Sequence, residues 1–194
     1  MAEILRTISP VDGRVYCERP LAAAAEIEAA LAAADKAAVG WRATPLAERQ
    51  AVLARAVAAL VAGKDGVAEE LTWQMGRPIG QSPGEMRGFE ERARFMIEAA
   101  PAALADVVPA EKAGFRRWIA RDPLGVVLVV APWNYPYLTS VNAVIPALLA
   151  GNVVVLKHSH QTPLVAERYA AAMAAAGLPD GVFRHLHLSH ADTE

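Results

Sequence analysis

The first hundred residues carry the hydrophobic periodicity of α-helices. One segment shows it clearly, with apolar residues separated by sums of three and four positions: Leu46, Leu53, Val57, Leu60 and Val61. This spacing gathers them into one buried stripe. Alanine, the strongest helix former, is concentrated in residues 21–38 and 51–62. The pattern predicts helices there, with Thr44 capping the second helix and Pro45 at its first position.

Two more helices and a hairpin complete the predicted elements of this half. Residues 65–75 and 84–100 have helical composition, with Gly76 closing the first segment and Pro101 stopping the second. Ahead of the helices, residues 8–16 place a proline and an Asp-Gly turn signal between short β-prone runs. This arrangement predicts a β-hairpin.

From residue 112 the pattern becomes that of strands. Residues 115–120 mix polar and aromatic side chains and predict a strand. Residues 126–131 are continuously apolar and mostly β-branched, which predicts a parallel strand covered on both faces. Further strands are predicted at 153–156 and 182–186, and helices at 137–149 and 163–176 separate the three. Strands alternating with helices indicate βαβ units and half of a doubly wound parallel sheet.

Composition and charge exclude several classes of protein. The 194 residues are 54% hydrophobic and 21% charged, with a formal charge of -2, so no surplus of positive charge is present for nucleic acid. The longest apolar stretches, residues 125–133 and 143–151, are far shorter than the roughly 20 residues of a membrane span. The N-terminus lacks the apolar core of a secretory signal, and Cys17 is the single cysteine. We therefore expect a cytoplasmic protein without nucleic-acid or membrane partners.

The carboxyl ends of the predicted parallel strands are the expected ligand site, because open α/β sheets bind ligands there. Residues 132–136 follow the first of these strands, and residues 157–160 end the second. Neither segment contains a glycine-rich phosphate loop of the common dinucleotide or P-loop type. Any nucleotide must therefore bind without these loops.

Several ordered motifs resemble the aldehyde dehydrogenase superfamily. The segment Arg-Asp-Pro-Leu-Gly-Val-Val at 121–127 resembles the lead into the first cofactor-domain strand of that family, and Ala-Pro-Trp-Asn-Tyr-Pro at 131–136 resembles its Pro-Trp-Asn-aromatic-Pro motif. Residues 146–157 are similar to its next strand, and residues 161–164 and 176–182 complete the order. The resemblance runs through most of the chain.

The resemblance implies an NAD(P)-dependent oxidation of an aldehyde to a carboxylic acid through a cysteine thiohemiacetal. By motif matching, the side-chain amide of Asn134 would donate a hydrogen bond to the developing oxyanion. The alternative is an asparagine that only stabilises a turn before Tyr135 and Pro136. The resemblance also assigns Pro132 and Trp133 to the cofactor cleft.

The second segment carries the other implied cofactor residues. Lys157 would serve the adenosine ribose, and Ser159 matches a small polar position of the family. We expect Lys157 to emerge from the sheet, because a buried ammonium is costly. His158 and His160 stand where the family usually has proline and glutamate. The glutamate normally repels a 2'-phosphate, so His160 makes NADP acceptable beside NAD.

The histidines raise the question of a metal site. All five lie between residues 158 and 190, and two pairs have the spacing that puts both rings on one strand face: His158 with His160 and His185 with His187. Zinc sites normally add cysteine or carboxylate ligands, and the implied reaction needs no metal. We therefore favour solvated or hydrogen-bonded histidines and predict no metal.

The implied nucleophilic cysteine and general-base glutamate have no counterparts here, since Cys17 lies outside any family cysteine motif. We expect an α/β fold that is incomplete relative to the family. A hairpin and helical region would occupy residues 1–110, a possible oligomerisation strand 111–123, and the first half of a dinucleotide-binding, Rossmann-like domain 124–194. The chain would be the N-terminal part of a homo-oligomeric enzyme and inactive by itself. The alternative is a non-catalytic dinucleotide-binding or oligomerisation module.

Overall fold

A computed structural model of the chain describes residues 3–193 and shows the predicted α/β architecture. The strands are β1 (Ile4–Ile8), β2 (Val15–Pro20), β3 (Val126–Ala131), β4 (Val153–His158) and β5 (Phe183–His185). The helices are α1 (Ala24–Ala43), α2 (Leu46–Ala62), α3 (Lys64–Met75), α4 (Ser82–Leu104), α5 (Pro136–Leu149) and α6 (Leu164–Ala175), followed by a 3-10 turn at Ala191–Thr193. Within residues 3–193, no helix is both long and apolar enough to cross a bilayer.

The predicted hairpin is confirmed. β1 and β2 pair antiparallel, and the connecting turn contains Gly13 at φ 74°. Gly76 closes α3 as predicted, with φ 75° in the left-handed region that glycine adopts without strain. A Cβ there would lie 2.9 Å from the ring of Pro10, so hairpin and helix meet closely at this glycine.

The second half forms the predicted parallel sheet, in the order β3-β4-β5. All six residues of β4 are buried, as expected for a strand covered on both faces. The same expectation for β3 is wrong, because Leu128 and Val130 are 49% and 55% exposed. β3 is an edge strand among the described residues, and the face that carries Leu128 and Val130 is only partly covered.

Helix α4 does not stop at Pro101, contrary to the prediction, but continues to Leu104. Proline leaves the carbonyl four residues earlier without its helical donor. Here that carbonyl belongs to Ile97, and the side-chain amide of Gln50 on α2 donates to it over 2.6 Å. A tertiary hydrogen bond thus replaces the lost backbone bond, and the helix tolerates its proline.

The predicted strand over residues 115–120 is also wrong. The structure forms only two isolated bridges in this region, between Val107 and Ile119 and between Lys112 and Phe115. Phe115 and Trp118 are 63% and 53% exposed, so their apolar surface contacts no core. Residues 3–193 offer this segment no neighbouring strand with which a ladder could form.

The first interhelical connection also departs from the prediction. Thr44 does not cap α2; it ends α1, where its hydroxyl donates to the carbonyl of Gly40 over 3.1 Å. Pro45 precedes the first residue of α2 instead of occupying it. The apolar stripe of α2 is confirmed, since Leu53, Val57 and Leu60 are buried in the common core.

Candidate functional site

Two loops leave the sheet side by side at its carboxyl edge. Ala131 at the end of β3 pairs with His158 at the end of β4, so the two strands finish level with each other. The structure therefore brings residues 132–135 and 159–163 together at one edge, where open parallel sheets bind their ligands.

The loop after β3 exposes its side chains. Pro132, Trp133, Asn134 and Tyr135 are all exposed, and Trp133 is 51% accessible. The backbone carbonyl of Asn134 accepts a hydrogen bond from Nη2 of Arg77 over 3.0 Å, whereas its side-chain amide bonds to no other residue among 3–193. The turn-stabilising alternative for Asn134 thus lacks a side-chain hydrogen bond, and the amide is free for a ligand.

A buried carboxylate that the sequence analysis missed supports this loop. The Glu85 side chain is fully buried on α4, and its Oε1 accepts hydrogen bonds from the backbone N–H groups of Tyr137 and Leu138 at 3.0 and 2.9 Å. Oε2 forms an ion pair with Arg77. One signal could have revealed it: Glu85 lies one helical turn before Phe89, on the apolar face of α4.

A pocket of about 230 Å³ adjoins the same loop. It is lined by Arg77, Gln81, Gly84, Glu85, Tyr135 and Leu138. The guanidinium of Arg77 lies 4.8 Å from the centre of the Tyr135 ring, within the range of a cation–π contact. Space for a small molecule therefore exists beside residues 134 and 135.

Most of the Lys157 side chain is covered by the sheet and its neighbours. It pairs with Val130, so strand alternation puts its side chain on the partly uncovered face of β3, opposite to His158. The residue is only 5% exposed, and its ammonium forms no hydrogen bond or ion pair with residues 3–193. Burial lowers the pKa of Lys157. The side chain is therefore largely buried, but its ammonium is not among the enclosed unpartnered atoms of residues 3–193 and remains accessible to a ligand.

His158 is a core histidine. It is 2% exposed, and its Nδ1 accepts a hydrogen bond from the backbone N–H of Ser159 at 2.9 Å. The ring proton therefore lies on Nε2, which faces the carbonyl of Pro136 at 3.4 Å. Burial lowers the pKa of His158 to about 4, so the ring is neutral at physiological pH. It connects the loop after β4 to the start of α5.

The two remaining predicted residues of this loop, Ser159 and His160, are adjacent and partly buried. The Ser159 hydroxyl accepts a hydrogen bond from the backbone N–H of Gln161 at 3.2 Å. Nε2 of His160 donates to the carbonyl of Leu188 over 2.6 Å, and its ring lies 5.2 Å from that of His190. The hydroxyl of Thr7 on β1 donates to the carbonyl of His160, so the hairpin holds this loop from outside.

The histidine pairs do not assemble into a metal site within the described part of the chain. His158 and His160 do not share a strand face, contrary to the prediction, because β4 ends at His158. His187 instead bonds to the carboxylate of Glu167 at 3.2 Å, which also pairs with Arg19. Among residues 3–193, no three His, Cys, Asp or Glu side chains gather around a point that could hold an ion.

Cys17 lies on β2, outside both loops. It is half-buried, and burial raises the pKa of its thiol despite a hydrogen bond with Thr7. A thiol with a raised pKa is a weak nucleophile at neutral pH.

Comparisons with known proteins agree with the geometry. Residues 2–194 match the aldehyde dehydrogenase family. The chain is 36% identical over 193 residues to succinate-semialdehyde dehydrogenase [NADP(+)] 1 of Mycobacterium tuberculosis, covering 98% of this chain and 42% of that protein. It is 32% identical over 181 residues to 3-sulfolactaldehyde dehydrogenase of Pseudomonas putida, covering 93% and 37%.

A solved structure matches in the same way. The NAD-dependent benzaldehyde dehydrogenase from Corynebacterium glutamicum superposes with a TM-score of 0.89 at 31% identity, covering 97% of this chain and 41% of that one. The chain therefore spans about two fifths of the length of the relatives it matches.

Proposed function

Because the chain belongs to the aldehyde dehydrogenase family, we propose that it forms the amino-terminal part of an enzyme that oxidises an aldehyde to a carboxylic acid with NAD(P). The observation that supports this most is the meeting of two loops at the carboxyl edge of the sheet. One loop presents a free amide at Asn134, and the other follows Lys157, whose ammonium has no partner among residues 3–193.

Asn134 is the proposed oxyanion donor. Attack on an aldehyde carbonyl puts negative charge on its oxygen, and a donor that is already in place stabilises that charge without reorganising. The amide of Asn134 is uncommitted while its backbone carbonyl is fixed by Arg77. The pocket of about 230 Å³ next to Tyr135 would take part of the substrate.

The proposed cofactor residues are Pro132, Trp133, Lys157, Ser159 and His160. The chemistry of this set fits a dinucleotide, since an unpartnered ammonium at Lys157 and a hydroxyl at Ser159 suit ribose oxygens, and Trp133 offers an exposed aromatic face. When bound, NAD(P) accepts the hydride from the substrate. No carboxylate occupies position 160, so a 2'-phosphate would meet no negative charge there, and we propose that NADP is accepted as well as NAD.

Cys17 is not the proposed nucleophile. Its thiol is half-buried with a raised pKa, on a strand outside the two loops. We propose that the thiolate and the general base of the reaction come from another part of the complete enzyme, which would be cytoplasmic. Residues 111–123, which contain the exposed Phe115 and Trp118, would contact another subunit of a homo-oligomer.

An assay of NAD(P)H formation tests the proposal. The 194-residue chain, at verified mass, should show no turnover with a panel of aldehydes, because covalent catalysis needs a thiolate beside a positioned base and the chain supplies only the oxyanion donor. A Cys17→Ser variant is the matched control. Robust turnover that this substitution abolishes would make Cys17 the nucleophile and overturn the assignment.

A further inference from the structure

We infer that Arg77 and Glu85 form a clamp that holds Asn134 in position, and that both act as positioning residues for the oxyanion donor. The inference rests on the proposed function for its catalytic meaning. The clamp itself is a statement about the geometry of the loop after β3, and it can be tested without any enzyme assay.

The Glu85 carboxylate fixes the downstream end of the loop. The first backbone N–H groups of a helix have no partner within the helix, and α5 begins at Pro136, directly after the loop. Glu85 accepts from two of these groups, at Tyr137 and Leu138. Its negative charge also stabilises the positive end of the helix dipole. The start of α5 is thereby attached to α4.

The Arg77 guanidinium fixes the loop itself. Nη1 pairs with Glu85, and Nη2 donates to the carbonyl of Asn134 at 3.0 Å. The same planar group lies over the ring of Tyr135 at 4.8 Å. One side chain therefore makes three contacts that together restrict the peptide on which the Asn134 amide is carried.

The burial of both groups shows that the arrangement is specific. The side chain of Glu85 is fully buried and that of Arg77 is 12% exposed. A buried carboxylate is costly unless it is paired and fully hydrogen-bonded, and Glu85 meets this condition with two amides and one guanidinium. An apolar residue would fill the site on α4 but would leave the N–H groups of Tyr137 and Leu138 without an acceptor. The position of the loop therefore depends on charge at Glu85 and on the forked shape of Arg77.

Arg77→Lys is the informative substitution, because lysine keeps the charge but cannot reach Glu85 and the Asn134 carbonyl with a rigid fork. The matched control is Arg168→Lys, which alters another arginine–glutamate pair, with Glu70, between α3 and α6. NMR of the 194-residue chain provides the readouts. These are the side-chain amide signals of Asn134 and the hydrogen exchange of the Tyr137 and Leu138 backbone amides.

In wild type, the two backbone amides should be protected, although first-turn amides of a helix usually exchange quickly. In Arg77→Lys they should exchange about 10- to 100-fold faster, as expected for weakening hydrogen bonds to a charged group, and the Asn134 signals should broaden or divide. Arg168→Lys should change neither. Glu85→Gln keeps an oxygen acceptor but removes the charge that both amides bind, so the two amides should exchange at least as fast as in Arg77→Lys. It is the second variant should Arg77→Lys not fold.

Unprotected Tyr137 and Leu138 amides in wild type would overturn the clamp, and so would loop signals that respond equally to the Arg77 and Arg168 substitutions. In the complete enzyme, Arg77→Lys should lower kcat and leave the KM for the cofactor unchanged. A loop that loosens in the NMR experiment while kcat stays constant would contradict the proposed role of Asn134 and not the clamp.

Discussion

The two loops at the carboxyl edge of the sheet are built in opposite ways. The loop after β3 exposes its side chains and has its backbone fixed from outside by Arg77 and Glu85. The loop after β4 follows a fully buried strand, and its polar groups are largely satisfied among themselves, as at His158 and Ser159. The first arrangement leaves the side-chain amide of Asn134 free to donate a hydrogen bond to a substrate. The second is held by hydrogen bonds within the loop, and the strand before it carries one unpartnered cation, Lys157.

The largest expected effect concerns the support of the first loop. Glu85→Ala should lower the free energy of unfolding by about 3 to 5 kcal/mol, because it leaves Arg77 and two backbone N–H groups without their buried partner. Glu90→Ala on the same helix should cost less than about 1 kcal/mol, since Glu90 pairs with Arg94 at the surface. Urea denaturation of both variants measures the difference, and equal losses would mean that the buried carboxylate has no special role.

Truncation of a side chain should cost more stability in β4 than in β3. Leu156→Ala in β4 should cost about 2 to 5 kcal/mol, because this side chain is completely buried. Leu128→Ala in β3 removes a side chain that is 49% exposed and should cost less than about 1 kcal/mol. A chemical denaturation series provides both values. A large loss at Leu128 would show that another layer covers β3 in solution.

Acid should weaken the second loop through His158. Its pKa is about 4 in the folded protein and about 6.5 in an unfolded chain, so the unfolded state takes up the proton first as the pH falls. Stability should fall by about 3 kcal/mol between pH 6.5 and pH 4 from this group alone, and this contribution is absent above pH 7. His158→Asn keeps an acceptor for the Ser159 N–H and should remove the pH-dependent difference. Identical acid profiles of wild type and variant would show that His158 is not buried and neutral.

The smallest expected effect concerns cofactor choice. His160→Glu in the complete enzyme should shift the ratio of kcat/KM toward NAD by about tenfold, or 1.4 kcal/mol, because a carboxylate repels the 2'-phosphate of NADP. His160→Gln is the neutral control and should leave the ratio nearly unchanged. If the two variants behave alike, charge at position 160 does not set the preference.

Much of the fold could be predicted from local patterns. The hairpin, the end of α3 at Gly76 and strand β4 were predicted because turn residues, a left-handed glycine and a continuous β-branched run act over a few residues. The wrong predictions concern segments whose structure depends on residues distant in the sequence. Gln50 on α2 donates to the carbonyl that Pro101 leaves unpaired, so α4 continues past the proline. Residues 115–120 find no neighbouring strand to pair with among residues 3–193.

In the candidate site, too, features set by local sequence could be predicted and features set by distant contacts could not. The sequence indicated which residues follow β3 and β4, and therefore which side chains meet at one edge. It did not indicate that Lys157 is buried, that His158 belongs to the core, or that Glu85 reaches the start of α5. Each of these features depends on contacts between residues at least 22 positions apart in the sequence, as for His158 with Pro136. A short sequence motif carries no information about such contacts.

Substitution of Asn134 tests the central claim most directly. In the complete enzyme, Asn134→Ala should reduce kcat by about 10² to 10³, the usual cost of removing one oxyanion donor, with the KM for NAD(P) unchanged. Asn142→Ala, on the exposed side of α5, is the control and should leave kcat near the wild-type value. A raised cofactor KM with unchanged kcat in Asn134→Ala would contradict the account and make Asn134 a structural residue of the loop.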